Sequence, residues 1–451
     1  MPAPPSEPAK VLSFRSSRWR DVPRSPVAIA VVAFALRIGY IILGHTYRFK
    51  TVEDHFDFGF EMGRIGRSLA LGQGFGNPFD GITGPTAWEP PLYPLLIGGV
   101  FRIFGIYTPA SAFVLLAINS LFAALTTLPI VSIARRCFGE RVAGWSAWTW
   151  ALLPSMIFWS TRWVWETSLA TCLLALLLAL ALALEVKGGR KLWLEFGFLW
   201  GIAALTNPTL LSMLPVSGMW TWYRRAKQGK RSLTGVAAAS AVFLACLAPW
   251  LVRNYRTFGR LLWIRSNFGV ELRLGNGPGA DGRWMDFLHP SKNLQQFQLY
   301  RQLGEIAYAA ERKREALAFM RADYARFAWL CLERFAYFWG GPRRSPPSAS
   351  TLWGNVFYLA SSLLAGYGLV EALRKRRPGA WLFFWLMLTY PLVYYVVFFL
   401  PRYRHPIEPE LGILMLYAIQ EAVFGSDRTQ RIRGISRERT LAAETREELH
   451  G

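Results

Sequence analysis

The chain has 451 residues, 53% of them hydrophobic, 15% aromatic and only 18% charged, a balance too apolar for a water-soluble globular protein of this length. Its apolar residues gather in blocks of about 20, the number that crosses roughly 30 Å of hydrocarbon as a helix. Collagen, disorder and a small secreted scaffold are excluded, and the expected fold class is an all-α polytopic membrane protein. The formal net charge of +22 would point to nucleic acid in a soluble protein. Here anionic lipid headgroups account for the excess, and no nucleic-acid partner is expected.

Residues 1–25 form a basic, Pro- and Ser-rich tail. The apolar run at 26–44 has no small-residue cleavage site behind it and reads as a retained anchor. Further apolar runs at 111–134, 142–160, 167–186, 192–206, 208–223, 233–252, 353–373, 379–400 and 406–424 bring the expected spans to ten. Residues 425–451 form a polar tail, so the membrane domain is 26–424. With the N-terminus inside, the inner segments carry 26 Lys and Arg, as the retention of cations on the cytoplasmic side demands. Both termini are then cytoplasmic, in the cell (inner) membrane.

Two outer loops are large, 45–110 and 253–352, and function is expected there. In the first, GFEMGRIGRSLALGQG is amphipathic and PPLYPLLIGGVFRIFG is apolar but short for a crossing, so both read as interfacial helices. The second holds a helical stretch from about Leu294 to Phe338 with an aromatic end suited to the headgroup zone. The four cysteines, Cys137, Cys172, Cys246 and Cys331, have no CxxC spacing, so neither a disulfide framework nor a zinc site is indicated. No internal repeat is evident.

Carboxylates are costly at membrane depth, which draws attention to acids where spans meet the outer surface. Asp54 lies about ten residues after the first span, with Glu53, Asp57 and Glu61 nearby, and Glu166 is the sole acid of the turn between the third and fourth spans. Two such acids can converge over one pocket, one acting as a base. Equally, Asp54 can be one solvated acid among several, and Glu166 can simply favour a helix dipole. Arg253, Arg256 and Arg265 follow the seventh span, and Arg402, Tyr403 and Arg404 stand between the ninth and tenth. Guanidinium forks match phosphate oxygens, although they can also snorkel to ordinary phospholipid. Arg37, inside the first span, requires a helix interface or a polar cavity. His55 beside Asp54 lacks any metal-binding spacing. In TNP at 206–208, Asn207 reads as a turn former, with its amide also able to meet a ligand.

Taken in order, VEDHFDFGFEMGRIGRSLALGQGFGNPF, GPTAWEPPLYPLLIGGVFRIFG, WVWETS, GIAALTNPTLL, PWLVRNYRTFGRLLWIRSNFGVELRLGN and PRYRHPIEP make the chain resemble the GT-C membrane glycosyltransferases, specifically the protein O-mannosyltransferases and bacterial aminoarabinose transferases. The resemblance implies transfer of a sugar from a polyprenyl-phosphate donor to a glycan, lipid or protein acceptor at the outer face, with inversion. It implies Asp54 as general base, with Glu53 and Asp57 as alternatives, and Glu166 as the acid of the second outer loop. Arg402, Arg404, Arg253, Arg265 and Tyr403 would bind the donor. No metal ligand is assigned, although a divalent cation is a possible cofactor. The other reading is a secondary transporter or flippase for a lipid-linked or anionic substrate, whose binding groups would sit near the midplane, often in repeated halves.

Overall fold

A computed structural model describes residues 25–49, 55–230, 232–342 and 349–424. The two tails, Glu53 and Asp54 lie outside the described residues. Ser25 caps the first helix, α1 (Pro26–Leu43), accepting from the Ala28 amide. The first outer loop then supplies α2 (Glu61–Ala70) and α3 (Leu92–Phe104), the two short helices read from the sequence as interfacial. They pack against each other.

The chain continues through α4 (Pro109–Leu125), α5 (Thr127–Phe138), α6 (Glu140–Leu152), α7 (Pro154–Arg162), α8 (Thr167–Val186), α9 (Arg190–Thr206), α10 (Leu214–Lys227) and α11 (Leu233–Phe258). After α11 come α12 (Phe268–Gly275), α13 (Leu294–Leu303), α14 (Glu305–Ala322) and α15 (Tyr324–Gly340). The last helices are α16 (Ala349–Arg374), α17 (Ala380–Thr389), α18 (Leu392–Val396) and α19 (408–424). Among the described residues there is no strand, only the isolated bridges Gly76–Pro85 and Arg283–Phe399. The helical stretch expected over 294–338 is three helices: positive φ at Gly304 ends the first, and Asp323 caps the third by accepting from the Arg326 amide.

Among the described residues five helices are long and apolar enough to cross a bilayer: Pro26–Leu43, Pro109–Phe138, Thr167–Val186, Leu233–Phe258 and Leu352–Arg374. The other five expected crossings fall on helices that are shorter or broken. Residues 142–160 divide between α6 and α7, 192–206 is the 17-residue α9, and 208–223 starts as a 3₁₀ turn before α10. Residues 379–400 divide between α17 and α18, and 406–424 starts with a 3₁₀ turn before α19.

The α6–α7 break explains Arg37. Pro154 has no N–H to return to the carbonyl four residues earlier, and the fully buried Arg37 donates there instead, to Trp150 O at 3.1 Å and Ala151 O at 3.3 Å. It also reaches Ala33 O at 3.0 Å and Met156 O at 3.3 Å. A cation inside an apolar span is thus satisfied by carbonyls that a proline left free, as buried polar groups require. Elsewhere helices approach through small residues: a Cβ at Gly197 of α9 would lie 2.1 Å from the Ala239 carbonyl of α11. At one end of the bundle, Glu185 pairs with Arg136 at 3.0 Å and Arg224 at 2.6 Å, and Glu421 with Lys375 and Arg377.

Candidate active site

At the opposite end of α8 a cavity of about 460 Å³ opens. Its walls come from Phe56–Met62, Glu89, Trp165–Glu166, Asn207–Thr209, residues from Trp263 to His289, and residues from Val393 to Tyr403. Each of these segments is a loop or a helix end that strict in–out alternation of the ten expected spans puts on one side. Helix periodicity alone could not have joined them, since they are separated by whole crossings.

Glu61 opens α2 and accepts from His289 Nε2 at 2.9 Å. Both are buried, and Phe60 and Trp284 flank the imidazole. Burial would raise the Glu61 carboxyl, but the hydrogen bond and charge of His289, helped by Arg64, hold it below the usual value. Glu89, in the WEPP turn before α3, accepts from Arg265 Nη2 at 2.9 Å, and Glu271 of α12 lies 3.7 Å from the same nitrogen. Burial pushes Glu89 up to about 8, with Arg265 opposing and Glu61, Glu166 and Glu271 adding to the rise. Burial likewise raises Glu271, against the pull of Arg265. Close packing aims α12: a Cβ at Gly275 would fall 1.7 Å from the Val397 carbonyl, so only glycine lets this helix meet the segment leading to Arg402.

Glu166 precedes the first turn of α8 and accepts from Asn207 Nδ2 at 3.2 Å. Asn207 is the turn former expected from the sequence, its Oδ1 accepting from Thr209 N at 3.1 Å, and its amide meets Glu166. Arg402 approaches Glu166 Oε2 to 4.0 Å while its guanidinium lies over the Trp165 ring, 3.6 Å from the centroid. Tyr403 lines the cavity beside it. Four polar atoms of the lining have no hydrogen-bond partner: Arg402 Nη1, Trp165 Nε1, Glu89 Oε2 and Glu166 Oε2.

Glu166, Arg402, Tyr403 and Arg265 therefore come together as the sequence led one to expect. Arg404 and Arg253 do not join them. Arg404 is fully buried, paired with Glu408 at 2.8 Å and donating to Ser361 at 2.6 Å and Ser362 at 3.0 Å, and it lines no part of the cavity. It stands two positions after Arg402, at the end of a 3₁₀ turn, enough to point the side chains apart. Arg253 turns back to the first outer loop and donates to Thr86 O at 2.6 Å and Phe75 O at 2.7 Å. For Asp54 the nearest described markers are His55, stacked on Tyr107 at 3.8 Å, and Phe56 in the cavity wall.

Glu89, Glu271 and His289 were not foreseen, and Glu61 was seen only as a neighbour of Asp54. Glu89 carried a usable signal, being the sole acid between Gly81 and Ala110. Among the described residues no group of three or more His, Cys, Asp or Glu could hold a metal ion. The cavity carboxylates are instead engaged by His289, Arg265, Asn207 and Arg402, so the described donor set does not fit a divalent cation.

Residues 88–252 match the family model described as dolichyl-phosphate-mannose-protein mannosyltransferase. No curated protein matches the chain by sequence. Among solved structures, the Archaeoglobus fulgidus oligosaccharyltransferase in complex with zinc and sulfate is similar at a TM-score of 0.50 and 13% identity, over 92% of this chain and 51% of that one. ArnT from Cupriavidus metallidurans bound to undecaprenyl phosphate gives a TM-score of 0.35 at 13% identity, over 89% of this chain and 78% of that one. The chain thus spans about half the length of the oligosaccharyltransferase it matches. Over residues 88–252 the chain is thus similar to that mannosyltransferase family, and its fold is similar to that of the oligosaccharyltransferase.

Proposed function

We propose that the chain moves a sugar from a polyprenyl-phosphate donor to a hydroxyl of a glycan, lipid or protein acceptor, at the outer face of the cell (inner) membrane with both termini cytoplasmic. The observation that carries this reading is the set of unmatched atoms in the cavity, two donors (Arg402 Nη1 and Trp165 Nε1) and two carboxylate oxygens (Glu89 Oε2 and Glu166 Oε2). Buried polar atoms are normally satisfied. A phosphate supplies acceptors for the guanidinium and sugar hydroxyls supply donors for the carboxylates, so a glycosyl phosphate answers both needs at once.

In the reaction, the acceptor hydroxyl passes its proton to a carboxylate as its oxygen attacks the anomeric carbon from the face opposite the phosphate. The bond from that carbon to the phosphate oxygen breaks, its electron pair leaves with the polyprenyl phosphate, and configuration inverts. Asp54 is the base in this reading, with Glu53 and Asp57 beside it, on the strength of its sequence position two residues before the cavity-lining Phe56. Arg402, steadied on Trp165, and Arg265, steadied between Glu89 and Glu271, meet the charge that develops on the departing phosphate. Glu166, fixed by Asn207, holds sugar hydroxyls and orients Arg402. A long isoprenoid tail remains in hydrocarbon while its phosphate reaches the cavity, which accounts for an enzyme built into the bilayer.

The test is the purified full-length protein in lipid nanodiscs, given a panel of polyprenyl-phosphate sugars, with release of polyprenyl phosphate followed by mass spectrometry. Asp54→Asn and Glu166→Gln serve as controls. Turnover of one donor that is lost in Asp54→Asn, with donor binding kept, supports the reading. Movement of an intact lipid-linked substrate across the bilayer without cleavage overturns it in favour of a flippase.

A further inference from the structure

Glu305, the first residue of α14, lines no part of the cavity, yet both sides of the cavity's Glu89–Arg265 pair are tied to it. Positive φ at Gly304 turns the chain into α14, and the Glu305 side chain is left 6% exposed beneath the first outer loop. Its two carboxylate oxygens receive four donors: Ala87 N at 2.7 Å, Ser266 Oγ at 2.6 Å, Tyr300 OH at 3.1 Å and Thr86 Oγ1. Thr86 Oγ1 in turn accepts from Trp88 N at 2.9 Å, and Ser266 N donates to Ala87 O at 2.9 Å. Ala87 precedes Glu89 by two residues, and Ser266 follows Arg265 directly. Arg265 closes the ring from within, Nε to Trp88 O at 3.1 Å and Nη2 to Glu89 at 2.9 Å. Burial raises the Glu305 carboxyl, with the bonds from Ser266, Thr86, Ala87 and Tyr300 opposing.

We infer that Glu305 is a positioning residue: one buried carboxylate locks the first outer loop to the segment after α11 and so sets the Glu89–Arg265 pair against the reacting phosphate. The chemistry argues for a carboxylate in particular. Two acceptor oxygens serve four donors, whereas a glutamine amide has one acceptor oxygen and an NH₂ group. At the NH₂ end the Thr86 and Tyr300 hydroxyls meet a donor where they had an acceptor, so both must reorient. The inference rests on the transferase reading for its kinetic consequence, but the lock itself is a physical claim about two loops.

The experiment uses full-length Glu305→Gln and Glu305→Ala in nanodiscs, with two readouts. Hydrogen–deuterium exchange is expected to quicken on the order of tenfold in peptides covering 86–89 and 263–267, with α8 unchanged, because their amides lose the bonds that protect them. Turnover is expected to fall on the order of 10²-fold in kcat, the cost of a misplaced catalytic group, with donor KM moved only a few-fold. The inflection of the pH–rate profile belonging to Glu89 should move upward as Arg265 loosens from it. Unchanged exchange in both segments of a folded variant overturns the lock. A lower kcat with an unmoved pH profile overturns positioning, since general loss of structure lowers the active fraction without shifting an ionisation. If the wild type turns over no donor, the transferase reading fails and the exchange data alone decide the lock.

Discussion

Arg402 offers the sharpest test of the cavity. Its guanidinium lies 3.6 Å from the Trp165 ring centroid and 4.0 Å from Glu166, with Nη1 unmatched. In the proposed reaction, replacement by Ala removes a preorganised donor from the leaving phosphate. Losing one such donor at a site of developing charge costs on the order of 10²–10³ in kcat, or about 2.7–4 kcal/mol of transition-state stabilisation. Arg402→Lys keeps the charge but loses the planar fork and the stacking face, so its loss should be intermediate. The assay is single-turnover release of polyprenyl phosphate in nanodiscs, paired with the affinity of the free polyprenyl phosphate, which should weaken in the same order. Neither substitution should lower the thermal unfolding midpoint appreciably, because no internal hydrogen bond of Arg402 Nη1 is lost. A turnover rate for Arg402→Ala within twofold of wild type would refute the assignment and leave the cavity without its phosphate ligand.

The neighbouring arginine should behave in the opposite manner. Arg404→Ala strands the buried Glu408 carboxylate, at a cost on the order of 3–5 kcal/mol. A drop in unfolding midpoint is therefore expected, and an unaltered midpoint with selectively lost donor affinity would return Arg404 to the phosphate site. Glu89, pushed up to about 8 by burial, retains its proton in the folded chain where the unfolded chain has lost it. Its contribution to stability is complete below the ordinary carboxylate pKa of about 4.3, and falls away as pH rises through about 8. Glu89→Gln should flatten that decline in unfolding midpoints measured from pH 5 to 9; parallel curves for the two proteins would refute it. Gly275→Ala should push α12 away from Val397 and diminish turnover, read as a fall in kcat together with faster amide exchange in 268–276.

Much of the architecture was legible in the sequence because membrane crossing is a local requirement: an apolar run of sufficient length needs no tertiary partner to declare itself. Alternation of such runs also indicated which loops share a side, and hence that Glu166, Arg265 and Arg402 could meet. The breaks at Pro154 and Pro391 were hidden, since a run of apolar residues reads alike whether its helix is continuous or interrupted.

Side-chain direction in irregular segments was beyond the sequence. Arg402 and Arg404 look equivalent in PRYRHP, but one faces the cavity and the other a buried carboxylate. Glu89, Glu271 and His289 became site residues only because loops separated by whole crossings fold over one opening. Periodic elements announce their faces through repeating patterns. Loops have no period, so which atoms they present is decided by what packs beneath them, here the Glu305 carboxylate under the WEPP turn and the bare Cα of Gly275 against Val397.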